Sequence, residues 1–179
     1  MPGNSAETKQ TDVIAHPETV EPPKQAPGKG VSKRVPLGWR EWLALPDLDI
    51  ALIKAKVDTG ARTSCLHTFR TEPYTQDGQR RVRFWVHPEQ HNLHHVVECD
   101  AAVIDERSVT DSGGHKEMRL VIETHVLLGD QCWPIEMTLT NRDTMRFRML
   151  LGRTAMAGRV TVMPEASYLA GNPALRNVE

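Results

Sequence analysis

An all-β fold follows from three features of the 179-residue chain. Apolar and polar residues alternate in short runs, turn-forming clusters recur at roughly ten-residue intervals, and almost no stretch has a helical period. The clearest run is Arg81–His87, where Val82, Phe84 and Val86 alternate with Arg81, Arg83 and His87. Many short strands without intervening helices predict a closed β-barrel over residues 35–170, with one flap hairpin and one short helical turn.

The flanks read differently. Residues 1–34 hold no aromatic residue but five of the twelve prolines. Such a segment cannot bury enough apolar surface to offset its ordering entropy, so a disordered tail is expected there. A second, shorter tail is expected over residues 171–179. With 22 basic and 23 acidic residues the net charge is -1, which gives no reason to expect nucleic acid or a membrane surface as partner. No apolar leader or bilayer-length run is present. Cys65, Cys99 and Cys132 are odd in number, form no CxxC and suit buried thiols in a reducing compartment. The expected location is cytoplasmic.

Taken in order, the ordered part begins at Pro36–Leu45. Trp39 and Trp42 have a helical spacing, but Gly38 and the flanking prolines favour an extended segment. Pro46-Asp47 marks a turn. In Ile50–Val57, Ile53, Ala55 and Val57 share one face and Lys54 and Lys56 the other, the pattern of a half-buried strand. Further strands are expected at Thr63–Phe69, Arg81–His87 and Val96–Ile104. Asp111-Ser112-Gly113-Gly114 suits a hairpin tip. Leu120–Leu128 and Trp133–Leu139 alternate on either side of a Gly129-Asp130 loop. Met145–Leu151 ends in Gly152-Arg153, Thr154–Ala157 suggests one helical turn, and Val160–Met163 is a last short strand.

The Ile50–Val57 strand delivers a carboxylate, Asp58, onto the tight turn Thr59-Gly60-Ala61. Apolar-Asp-Thr-Gly-Ala, followed after about ninety residues by apolar-apolar-Gly-Arg, resembles the pattern of retropepsin-like aspartic proteases. The segments Gly38–Trp42, Ala55–Ser64 and Met149–Arg153 together resemble one bacterial family over residues 36–170. That family is labelled ATP-dependent zinc protease and also described as retropepsin-like endopeptidase, RimB-like. The resemblance implies a homodimeric aspartic endopeptidase with one catalytic Asp58 per chain. Two carboxyl groups about 3 Å apart would share a proton across the two-fold axis. Thr59 would lock the paired turns, Gly60 would let backbone approach the substrate, and Ser112, Gly113 and Gly114 would form the flap. Ala61, Arg62 and Arg153 would line the substrate site with them.

One departure from the retroviral pattern bears on substrate. Those enzymes carry an Asp at the position of Arg62, paired with the arginine matched by Arg153. Two guanidinium groups here need anions, supplied either by carboxylates elsewhere in the fold or by an acidic peptide, helped by Lys54 or Lys56. The family is associated with ATP-grasp glutamate ligases, so a glutamate-tailed substrate and such a ligase are the partners the resemblance implies.

Two other readings stand beside this one. A catalytically idle β-barrel could bind acidic tails or dock to a glutamate ligase. A zinc peptidase would need metal ligands, and His87, His91, His94, His95 and Cys99 offer the donor types. Their spacing matches no common zinc pattern, and HExxH is absent. No GxxxxGK[ST] loop is present to cradle a nucleotide phosphate. No cofactor or metal is therefore expected. Cys65 and His67 share a strand face, but the surrounding alternation suggests packing rather than a thiol–imidazole pair.

Overall fold

The computed structural model describes residues 33–141 and 146–178. The tail expected over residues 1–34 falls almost wholly outside them, as does Met145 at the start of the apolar run Met145–Leu151, which is strand only from Met149. Ser32–Glu179 group as one compact unit.

Eleven strands occur among the described residues: β1 (Val35–Leu37), β2 (Arg40–Leu45), β3 (Ile50–Val57), β4 (Ser64–His67), β5 (Arg70–Gln76), β6 (Gln79–Val86), β7 (Val97–Thr110), β8 (Lys116–Leu128), β9 (Gln131–Thr140), β10 (Met149–Leu151) and β11 (Val160–Val162). A single-turn helix, α1 (Arg153–Met156), follows β10 directly. Pro46–Leu48 and Pro173–Val178 are 3-10 turns. The strand that alternation does not reveal is β5. It lies at the sheet edge, carries Pro73 and is largely exposed on both faces, so no buried face imposes a period on it.

The expected closed barrel is corrected to a curled sheet. Nine strands run in the order β2-β3-β10-β4-β9-β8-β7-β6-β5, and β2 also meets β8 through one residue pair, Ala44 and Leu127. Six strands thus form a ring, from which β7, β6 and β5 extend as a flap-bearing wing. The parallel β1–β11 pair forms a separate small sheet. A closed barrel leaves no edge, whereas β5 here is a free one.

The ring closes around an apolar core. Leu43, Leu45, Ile53, Leu66, Ile122, Met137, Met149 and Leu151 are fully buried within it. On the wing, Phe84, Val82 and Val86 turn the alternating face of β6 into the same cluster. One charged side chain is equally buried. Glu41 accepts the backbone N–H of Gly38 at 2.6 Å and of Leu169 at 2.9 Å on Oε1, and of Ala170 at 3.2 Å on Oε2. It fastens the C-terminal strap to the start of β2.

Candidate binding cleft

The end of β3 is held from both sides. Val57 donates its N–H to Trp39 O, and Asp58 donates its own to Leu151 O, each at 2.9 Å. Parallel pairing of Ala55–Val57 with Met149–Leu151 sets the two signature segments side by side. Beyond them, Arg153 N donates to Ala61 O and Thr154 N to Arg62 O. Gly152 makes this crossing possible. A Cβ there would lie 2.6 Å from the Thr63 carbonyl carbon, and its N–H instead reaches Ser64 Oγ at 3.0 Å.

At the turn itself, Asp58 Oδ1 accepts the N–H groups of Gly60 and Ala61 at 3.0 and 3.1 Å. Its Oδ2 lies 3.7 Å from Lys56 Nζ. Arg153 Nη1 donates to Thr59 O at 3.0 Å and Gly60 O at 3.2 Å, gripping the outside of the same turn. Asp58 is thus a fixed carboxylate on a rigid turn, with one lysine beside it.

These residues open onto a cleft of about 690 Å³. Asp58, Gly60, Ala61, Arg62 and Arg153 line one side, and Ser108–Ser112 of the flap line another. Of the residues singled out from sequence, Thr59, Gly113 and Gly114 are not in the lining. The tip does form the expected hairpin. Asp111 N donates to His115 O and Gly114 N to Asp111 O, while Gly114 takes a positive φ of 84°.

The lining also includes Cys65, Arg107, Arg119, Thr138 and Thr140, none of which the sequence reading selected for the site. A signal for two of them was present. A hairpin folded about Gly113 places Arg107 opposite Arg119, and that is the observed register. The four lining arginines divide by their partners. Arg107 donates to Asp105 at 2.5 Å and to Glu136 at 2.8 Å. These contacts, with Glu136 the stronger, raise its pKa above the ordinary arginine value. Arg119 donates to Glu117 at 2.8 Å. Arg62 and Arg153 have no carboxylate partner among the described residues. The alternative that acids within the fold neutralise them finds no support there.

The histidine-rich loop does not assemble a comparable site. His87 stacks on Phe69 with ring centroids 4.2 Å apart, and His95 Nδ1 pairs with Glu89 at 2.9 Å. Cys99 is buried, with its thiol pushed up to about 12 by desolvation and then by Asp49 and Glu98. Among the described residues no three His, Cys, Asp or Glu side chains converge as a metal-holding group. No described helix is long and apolar enough to cross a membrane.

Comparison with known proteins adds three findings. The model of the RimB-like family, described as retropepsin-like aspartic endopeptidase RimB, matches residues 36–173. Proteins named probable alpha-L-glutamate ligase are similar to the chain: one from Parasynechococcus marenigrum is 45% identical over 142 residues, covering 79% of this chain and 30% of that protein. A second, from Shewanella pealeana, is 41% identical over 143 residues, covering 80% and 31%. The chain therefore spans about a third of the length of these curated relatives. Among solved structures, a Legionella pneumophila protein of unknown function, Lpg0085, superposes with a TM-score of 0.66 at 24% identity, covering 77% of this chain and 99% of that one. This last likeness is one of fold alone.

These relatives correct the expectation of an aspartic endopeptidase. Proteins more than 40% identical across this domain carry the name of a bond-forming ligase rather than a peptidase. The hydrolytic role assigned to Asp58 by resemblance is not carried over to this chain.

Proposed function

The chain belongs to the RimB-like family, and from that premise we propose that its domain is a binding module for acidic peptide tails that works with a glutamate ligase. One observation carries the reading. Arg62 and Arg153 flank the Asp58 turn in the cleft, and neither is spent on a carboxylate of the described chain. An exposed arginine without a counter-ion is a ready partner for a carboxylate-rich ligand, since its planar fork matches the carboxylate oxygens.

The names of the relatives support the same direction. A ligase that handles glutamate has use for a neighbouring surface that holds glutamate-bearing chains. The flap residues Ser108–Ser112 would close over the bound segment, and Thr138 and Thr140, whose hydroxyls are held by Ser64 O and Glu117, form the floor. Asp58 then acts as a counterweight. Its charge, tempered by Lys56, limits how strongly the cleft attracts anions.

Charge reversal tests the reading. A labelled oligoglutamate peptide is titrated with the wild-type chain and with Arg62→Glu at low salt. Placing a like charge in the binding surface is expected to weaken association about tenfold or more. Equal affinity for both chains would contradict an acidic-peptide site.

A further inference from the structure

The cross-strand pair Arg107 and Arg119 is a costly arrangement. Directly opposed residues in an antiparallel hairpin share a face, and like charges placed so repel. Both arginines line the cleft. Their remaining hydrogen-bonding capacity differs. Arg107 has carboxylates on Nε and on Nη1. Arg119 has a carboxylate on Nε only; its Nη1 meets Cys65 Sγ at 3.5 Å, a weak acceptor, and its Nη2 has no partner among the described residues. Arg119 is just 7% exposed, and it lines the cleft, so the unpaired end of its guanidinium is reached from the cleft and from nowhere else among the described residues. Glu117 is in turn steadied by the Thr140 hydroxyl at 3.0 Å, which fixes the guanidinium in place.

We infer that Arg119 is the specificity-determining residue of the cleft, accepting a ligand carboxylate at its floor and rejecting the corresponding amide. This rests on the acidic-peptide reading and divides the work within it. Arg62, exposed, supplies attraction that salt screens. Arg119, buried, works where the effective dielectric is lower and screening is weak, so pairing there discriminates. A glutamine side chain sets its amide against donors that need an anion and leaves the buried guanidinium under-satisfied. Sites built this way reject the wrong polar group strongly, whereas a wet arginine does not.

The test uses the full chain, a labelled oligoglutamate peptide and its oligoglutamine counterpart, titrated at low and high salt. Wild type is expected to prefer oligoglutamate at both. Arg119→Gln should reduce that preference about tenfold or more at either salt concentration. Arg62→Gln should weaken oligoglutamate binding chiefly at low salt while a clear preference remains at high salt. Glu117→Gln, which removes the carboxylate on Arg119, should strengthen oligoglutamate binding, and it decides the matter if thermal melts show Arg119→Gln to be unfolded. An undiminished preference in folded Arg119→Gln overturns the inference while leaving the acidic-peptide reading intact. Unchanged affinity in Glu117→Gln does the same. Wild type that binds neither peptide removes the reading itself, and the inference with it.

Discussion

Glu41 puts a carboxylate where the molecule is driest, and three backbone N–H groups meet it there. Glutamine at that position keeps the shape but turns an NH₂ group toward donors. Glu41→Gln is expected to destabilise the fold by about 2 kcal/mol, read from the urea midpoint. A second residue-scale effect concerns acid. Asp47 is held below the usual carboxylate value, first by the His125 ring hydrogen bond and then by the His125 backbone N–H. A depressed folded-state pKa contributes stability above the unfolded value of about 3.9, and that contribution disappears as pH falls through the folded value. The pair is half exposed, so the effect is small. Melting temperatures compared between about pH 5 and pH 2 should fall less steeply for Asp47→Asn than for wild type.

Among the elements, the crossing of β10 into α1 beneath the Asp58 turn is the tightest point. Gly152→Ala drives a methyl group into the Thr63–Ser64 backbone, with Ser64 N only 2.8 Å from the new atom. A loss of about 2 kcal/mol or more is expected in chemical denaturation. Sequence showed this element well, because an apolar strand ending in Gly-Arg leaves few readings. Strands with one buried face, such as β6 and β8, were equally legible, since burial imposes their alternation. Edge strand β5 was not, having no core to write a period into it. The barrel expectation overshoots for another reason: closure rests on one pair, Ala44 with Leu127, and β7, β6 and β5 run on past the ring to a free edge. The cleft divides along the same line. Asp58, Arg62 and Arg153 sit on signature turns, whereas Arg107 and Arg119 required the hairpin register.

At the scale of the whole molecule, charge placement rather than net charge carries the functional account. The chain is nearly neutral overall at -1, yet two arginines at one cleft stand without a carboxylate partner among the described residues. A ligand drawn to them should bind more weakly as salt rises, because exposed guanidinium groups are screened over about 10 Å at 0.1 M ionic strength. Asp58 opposes such a ligand. Its removal separates the binding account from the hydrolytic one that the turn motif first suggests. The direct measurement is a titration of wild type and Asp58→Asn with labelled oligoglutamate, followed by mass analysis of the recovered peptide. The binding account predicts tighter association in the variant and intact peptide from both proteins. Peptide cut by wild type and spared by Asp58→Asn would contradict it.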